Sequence, residues 1–334
     1  MAFARLVVRQ TALSVARRSM GRGYAKKVDI KALKRLRELN PVSMSKAKEA
    51  LLNNNNDIDK AMVWLEEDAI KAGAKKAEKV KDRVASEGAI AIYLNEKQSA
   101  GAIVELGCET DFVARNGTFI DLASAIARQG SEGFATAGVL ADIEVSQLAG
   151  KLLAERSVAD TITETIGKLG ENIILRRAAA VGAEGAEDSL VVSGYVHGAV
   201  AGSAGASAGK IGGLVAMRSS GPLKGDDNRA TINQLGRRLA QQVVGYAPRY
   251  RTMAEWDAAK AQGLVSAEES PEVLVLEAQQ FLFGGGTVSE VLAKVSKGVG
   301  TPVVIESFVR FERGEGIEKP EKPDFAEEVR QQLA

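Results

Sequence analysis

The chain has 334 residues but only one cysteine, Cys108, and one histidine, His197. No disulfide can close within it, and no Cys/His zinc cage can be assembled. A thiol nucleophile needs a base beside it, and only His197 could serve Cys108. Cys108 instead reads as core filling, on one face of a strand with Val104 and Leu106. No apolar stretch reaches the length that spans a bilayer. Acid is missing locally: residues 1–28 hold Arg5, Arg9, Arg17, Arg18, Arg22, Lys26 and Lys27 and no Asp or Glu. That segment carries +7, so the remainder carries −6 within an overall charge of +1. A mildly acidic body lacks the basic stripe of a nucleic-acid binder. A phosphate loop is missing too. The Gly/Ala/Ser-rich stretch 198–213 contains Gly209-Lys210, but Ala204 stands where such a loop needs glycine, and Ile211 where it needs Ser or Thr. It reads as an extended, flexible hairpin tip.

What is present is the composition of a globular protein, 45% hydrophobic and 26% charged, long enough for two or three packed units. Residues 1–24 mix Arg with Leu6, Val7, Val8, Leu13 and Val15 in an amphipathic pattern, that of a mitochondrial transit peptide. Arg22-Gly23-Tyr24 marks the cleavage neighbourhood. A basic tail for nucleic acid is the other reading, and the interleaved apolar residues favour import.

Residues 25–72 predict three short helices in a ubiquitin-associated-like domain. Asp29 caps the first, which buries Ile30, Leu33 and Leu36; Pro41 breaks it. Ser43 caps the second, Met44 to Asn53. Asp57 caps the third, where Ile58, Ala61, Met62, Leu65 and Ala69 keep helical spacing. Residues 73–87, with Lys75, Lys76, Lys79 and Lys81, read as a basic, solvated helical linker. From Gly88 the period becomes two. Ile90, Ile92 and Leu94 alternate with Ala91 and Tyr93, and Ala102 to Cys108 returns as the second arm of a hairpin. Helices are expected at Thr118–Gln129, Ile143–Ala154 and Val158–Leu169, then a strand from Ile173. After a loop at Gly182–Ser189, hairpin and helix recur: strands at Leu190–His197 and Ile211–Arg218, and a helix at Asp226–Val244. Further helices are expected at Pro271–Phe283 and Val288–Val295, a last strand at Thr301–Phe311, and a last helix at Asp324–Leu333. The class is α+β: the three-helix domain, then two related antiparallel-sheet-plus-helix subdomains at 88–185 and 186–318, and a C-terminal helix at 319–334.

The stretch Cys108-Glu109-Thr110-Asp111-Phe112-Val113-Ala114-Arg115-Asn116 organises the chain. Thr110 is placed as an N-cap, Asp111 suits the first turn of a helix, and Asn116-Gly117 closes it. Phe112 and Val113 then lie at a strand-to-helix corner. Chemistry alone favours a corner whose Phe112 packs into its own core; the alternative offers that ring to a partner.

Thr110-Asp111-Phe112-Val113-Ala114 after a Glu-x-x-Cys-Glu strand end resembles the signature of the elongation factor Ts family. Further similar stretches follow in order: Leu36-Arg37-Glu38 with Met44 to Leu51, Gly170-Glu171-Asn172-Ile173 with Arg176-Arg177, Tyr195-Val196-His197-Gly198, and Phe308 to Glu318. The resemblance implies a guanine-nucleotide exchange factor that binds elongation factor Tu carrying GDP and speeds GDP release. It implies contacts with that GTPase from Thr110, Asp111, Phe112, Val113, His197 and Gly198, and from Arg37 and Met44 in the small domain. It implies no cofactor, no metal and no bond-making chemistry. The family carries a Gly-containing turn where this chain has Asn40-Pro41-Val42-Ser43, and a longer helical protrusion than Arg249–Ser270 provides. The other function class is a ubiquitin-associated-type adaptor without exchange activity.

Overall fold

The computed structural model describes residues 27–318 apart from 41, 135–139, 183–187, 202–204 and 267. The transit peptide expected at 1–24, the helix expected at Asp324–Leu333 and most of the loop expected at Gly182–Ser189 lie outside the described residues. The chain divides into two units, 1–68 and 69–334.

In the first unit, α1 (Ile30–Leu39) and α2 (Met44–Asn53) precede the start of α3 (Ile58–Val80). Asp29 and Ser43 accept hydrogen bonds from the Lys31 and Lys46 amides, and Asp57 accepts one from the Lys60 amide. These caps satisfy donors that the helical ladder leaves unpaired. Leu33, Leu36, Ala47, Ala50, Leu51, Ala61 and Leu65 form the core. Ile30, expected inside, is 80% exposed. At 100° per residue it sits about 110° around the helix from the centre of the inward face.

The second unit is a four-layered stack. Strands β1 (Glu87–Leu94) and β2 (Ala100–Cys108) form the first hairpin. The four-residue α4 (Asp111–Ala114) and α5 (Gly117–Phe134) follow, then β3 (Ala141–Ile143), α6 (Val145–Ala149), a small hairpin of β4 (Leu152–Leu153) and β5 (Arg156–Ser157), α7 (Val158–Leu169) and β6 (Ile173–Gly182). The second half holds β7 (Leu190–His197), β8 (Val200–Ala201), β9 (Ser207–Gly209), β10 (Ile211–Ser219), α8 (Asp226–Tyr246), α9 (Met253–Ala261), α10 (Pro271–Leu274), a 3-10 turn at Leu276–Ala278, α11 (Val288–Val299) and β11 (Val303–Glu312). One sheet runs β3-β6-β2-β1-β9-β8, the other β11-β10-β7, with every pairing antiparallel.

Alternation along the strands builds the layers. Ala89, Ala91, Val104, Leu106 and Cys108 face α5 and α7 on one side. Ile90, Ile92, Ile103, Val181, Leu190, Val192, Leu214 and Phe311 meet between the sheets. Val191, Val215 and Met217 face α8 and α11 on the other side.

Several expected elements differ. The basic stretch 73–87 is helical to Val80, as expected, but it is not solvated throughout: Val80 is buried against the first sheet's core. Gly73 makes this docking close: a Cβ there would stand 2.7 Å from the Thr163 carbonyl oxygen of α7. The helix expected at Ile143–Ala154 is only Val145–Ala149: Ile143 closes β3, and beyond Gly150 the chain forms the β4–β5 hairpin, turned by Ala154 at a left-handed φ of 58°. The stretch 198–213 is more than a hairpin tip. Ser207–Gly209 pairs with β1, so the chain crosses from one sheet to the other through Gly209 and Lys210. The helix expected at Pro271–Phe283 breaks at Val275, which is fully buried in an extended conformation. Beyond it, buried Gln242 donates to the Gln279 side chain and the Gln280 carbonyl and accepts from the Leu282 amide, taking the place of a helical ladder.

Candidate functional site

Thr110 leaves β2 in extended conformation, and its hydroxyl accepts from the Val113 amide at 3.3 Å. That cap starts α4, whose short span provides little ladder of its own. Val113 and Ala114 are buried beneath the corner, against a core that includes Cys108, Phe119 and Ile120. Phe112, immediately before them in the same turn, is 83% exposed. The self-packed reading of this ring is therefore wrong. Burying its neighbours fixes the phase of the turn, and that phase aims Phe112 outward. Asp111 and Arg115 pair at 2.7 Å beside it, one helical turn apart.

The corner is tied down from the turn that leads into β6. Glu171 accepts from the Thr110 amide at 3.0 Å and from its hydroxyl at 2.5 Å. In the opposite direction, Glu109 accepts from the Asn172 amide at 2.7 Å, while the Asn172 side chain donates to the Lys81 and Arg83 carbonyls. The Cys108 thiol donates to the Thr110 carbonyl at 3.2 Å. Burial, reinforced by the Glu171 and Glu87 carboxylates, pushes this thiol up to about 12, so it is no thiolate nucleophile at neutral pH.

A second constellation braces the same end of the stack. Glu105, 1% exposed, binds Arg176 and, at 2.6 Å, Arg177. Its other bond, 2.8 Å, comes from the Gly314 amide beyond β11. Two arginines reach one carboxylate because β6 bulges here: Glu105 pairs with Arg177 and Leu106 with Leu175, leaving Arg176 as the extra residue. Arg177 also bonds the Glu312 carbonyl and Glu315 and lies 4.2 Å from the Phe311 ring centroid. Gly314, at φ 69°, is required, since a Cβ would sit 2.3 Å from the Ser86 carbonyl oxygen.

His197 is exposed at the end of β7, and its carbonyl accepts from the Lys210 amide at 3.0 Å. Gly198 follows at φ 66°. Because β2 and β7 both end on this edge, the two motifs come together. A notch of about 70 Å³ is lined by Ala114 and Arg115 from the corner and by Gly198, Gly209, Lys210 and Arg313 from the other half. Asp111 and Phe112 on one side, and His197 and Gly198 on the other, thus flank a single surface. Val113 lies under it rather than on it. Arg37 and Met44 belong to the first unit, where both are exposed on either side of the α1–α2 turn.

Glu171, Asn172 and the Glu105 pair were legible only as motif text. Nothing in their spacing says which backbone atoms they bond. Lys210 was read only against a phosphate loop and Arg313 only within the Phe308–Glu318 stretch, because their place beside the corner depends on the strand crossing at Gly209. A wider cleft of about 530 Å³ between α5, α7 and the β4–β5 hairpin includes none of the corner or His197 residues. Among the described residues no group of three or more His, Cys, Asp and Glu is placed to hold a metal ion, and no helix is long and apolar enough to cross a membrane.

Residues 109–270 match the family model described as Elongation factor TS. The chain is 36% identical to the mitochondrial elongation factor Ts of Heterostelium pallidum, over 94% of this chain and 87% of that protein. It is 37% identical to elongation factor Ts of Rhodospirillum rubrum, over 90% and 97%. It is 34% identical to that of Clostridium perfringens strain SM101, over 90% and 98%.

Proposed function

The chain belongs to the elongation factor Ts family, and on that premise we propose that it is the guanine-nucleotide exchange factor of mitochondrial elongation factor Tu, working in the matrix. It binds the GTPase carrying GDP, promotes GDP release, and leaves when GTP enters. The observation that carries this reading is Phe112: a large apolar ring, 83% exposed, on a capped corner that is tied down from the turn that leads into β6. Exposed rings on rigid supports are the anchors that dominate protein interfaces.

The energetics set the size of the surface needed. A GTPase holds its nucleotide through Mg²⁺ and phosphate-loop amides. Weakening that grip 10⁴-fold requires a coupling of about 5.5 kcal/mol. Burying one Phe supplies about 1.5–3 kcal/mol, so Phe112 cannot act alone. In this proposal Asp111-Phe112 wedges into the GTPase and disturbs its Mg²⁺ side. His197 and Gly198, on the same surface, and Arg37 and Met44 in the first unit supply further differential contacts. The chain makes or breaks no bond; its work is a difference in affinity between two states of the partner. Linkage makes the effect reciprocal: GDP weakens binding of the chain by the factor by which the chain weakens binding of GDP.

The test is release of a fluorescent GDP analogue from mitochondrial elongation factor Tu, with excess GDP as chase, with and without residues 25–334. The proposal expects a large acceleration that saturates with chain concentration. An unchanged release rate at saturating chain contradicts it and favours the adaptor reading, in which residues 29–72 bind a partner without exchange.

A further inference from the structure

Phe112 is directed by its backbone alone. Its ring is 83% exposed, so no core packing holds it. The helix that carries it spans only Asp111–Ala114, too short for cooperative helical stability. Something outside the helix must hold the corner, and two of its groups, the Thr110 amide and the Thr110 hydroxyl, end on the two carboxylate oxygens of Glu171. An ionised carboxylate is acceptor-only and makes charge-assisted bonds, so it serves both donors at once. Orienting the hydroxyl toward Glu171 leaves the Thr110 oxygen's lone pair for the Val113 amide, which is the cap itself. Glu171 stands two residues before Ile173, whose pairing with Cys108 is the last of the ladder between the two strands. Glu109 reaches back from β2 to the Asn172 amide, so each strand end clamps the other.

We propose that Glu171 is the positioning residue of the exchange surface: it touches no partner atom, and acts by holding the Thr110 cap so that Phe112 meets the GTPase already oriented. The inference rests on the reading of Phe112 as the wedge. Pre-organisation lowers the ordering cost that an exposed anchor would otherwise meet on docking. Loss of the clamp therefore spares the core but weakens the wedge, and the loss must depend on Phe112 being present.

The test is a double-mutant cycle on the full chain, read by release of a fluorescent GDP analogue from mitochondrial elongation factor Tu at saturating chain. Glu171→Ala lowers the catalysed rate about 10-fold, and Glu171→Gln, whose amide can accept from the Thr110 N–H and donate to its hydroxyl, stays within about 3-fold of native. In the Phe112→Ala background Glu171→Ala has little further effect, less than about 2-fold. Hydrogen exchange of a peptide covering 108–116 speeds up in Glu171→Ala, while peptides from β1 and α5 keep their protection. If Glu171→Ala does not fold, Glu171→Asp, which withdraws the carboxylate by one methylene, replaces it in the cycle. A native rate in the Glu171 variant overturns the proposal, as does an equal fold-loss with and without Phe112. If Phe112→Ala itself releases GDP at the native rate, the wedge reading fails first, and the positioning role falls with it.

Discussion

At the scale of the residue, burial and exposure within one short turn separate structure from function. Val113 and Ala114 hold the corner to the core, and Phe112 contributes almost nothing to folding. Phe112→Ala should leave stability within about 0.5 kcal/mol of native, as surface substitutions do; a urea titration reads this. Cys108 is the contrasting case. Its thiol is fully buried and pushed from 9.0 up to about 12. Iodoacetamide at pH 7.5 should modify it in the folded chain at least about 100-fold more slowly than in urea. The same shift sets a pH trend. The folded state keeps a proton that the unfolded state gives up above 9.0, so this contribution is complete below pH 9 and is lost progressively as pH rises from 9.0 toward about 12. The sequence placed Cys108 on the inner face with Val104 and Leu106, where it lies. It placed Phe112 at the right corner but, on chemistry alone, on the wrong side of it. A ring's direction in a four-residue helix depends on which neighbours find a core, and the α5 residues Phe119 and Ile120 that decide it come later in the chain.

At the scale of the element, two close fits carry testable weight. Gly73 lets α3 approach α7, and Gly73→Ala drives a methyl against the Thr163 carbonyl oxygen. Overpacking of this kind costs about 1–3 kcal/mol, measured as a lower urea midpoint with unchanged slope. Glu105→Ala takes the buried carboxylate from Arg176 and Arg177, leaving them only the Glu312 and Glu315 acceptors in a half-buried site, and removes the acceptor for Gly314. Breaking a buried pair from one side costs about 3–5 kcal/mol, and the same titration reads it. Helices with periodic faces, such as α8, were legible because Ile232, Leu235, Leu239 and Val243 repeat at helical spacing. The stretch Pro271–Phe283 was not. Its apolar residues permit a helix, but Val275 pairs with Tyr250 and Gln242 takes over the following backbone groups. Those partners are tertiary and leave no local mark. The bulge at Arg176 is similar: two adjacent arginines in a strand look like a fault in alternation until both are seen to serve Glu105.

At the scale of the whole second unit, antiparallel pairing does the organising. β2 and β7 both end on one edge, so motifs far apart in sequence, Thr110-Asp111-Phe112 and His197-Gly198, share one surface, with Arg115, Lys210 and Arg313 around the notch between them. The α+β class and the recurrence of hairpin and helix were readable from the period. The face-to-face meeting of the sheets through Ile90, Ile103, Leu190 and Leu214 was not, because strands with apolar residues on both faces do not declare which face meets which layer. In the proposed role this shared surface loosens the nucleotide of a partner GTPase, with Phe112 as its anchor. The most direct measurement is the rate of fluorescent GDP release from mitochondrial elongation factor Tu as a function of chain concentration, for the native chain, Phe112→Ala and His197→Ala. Phe112→Ala is expected to lower the plateau rate about 10-fold or more, the equivalent of one buried Phe, and His197→Ala to lower it less. A plateau unchanged by Phe112→Ala, with only the half-saturating concentration raised, would make Phe112 a tether and contradict the account.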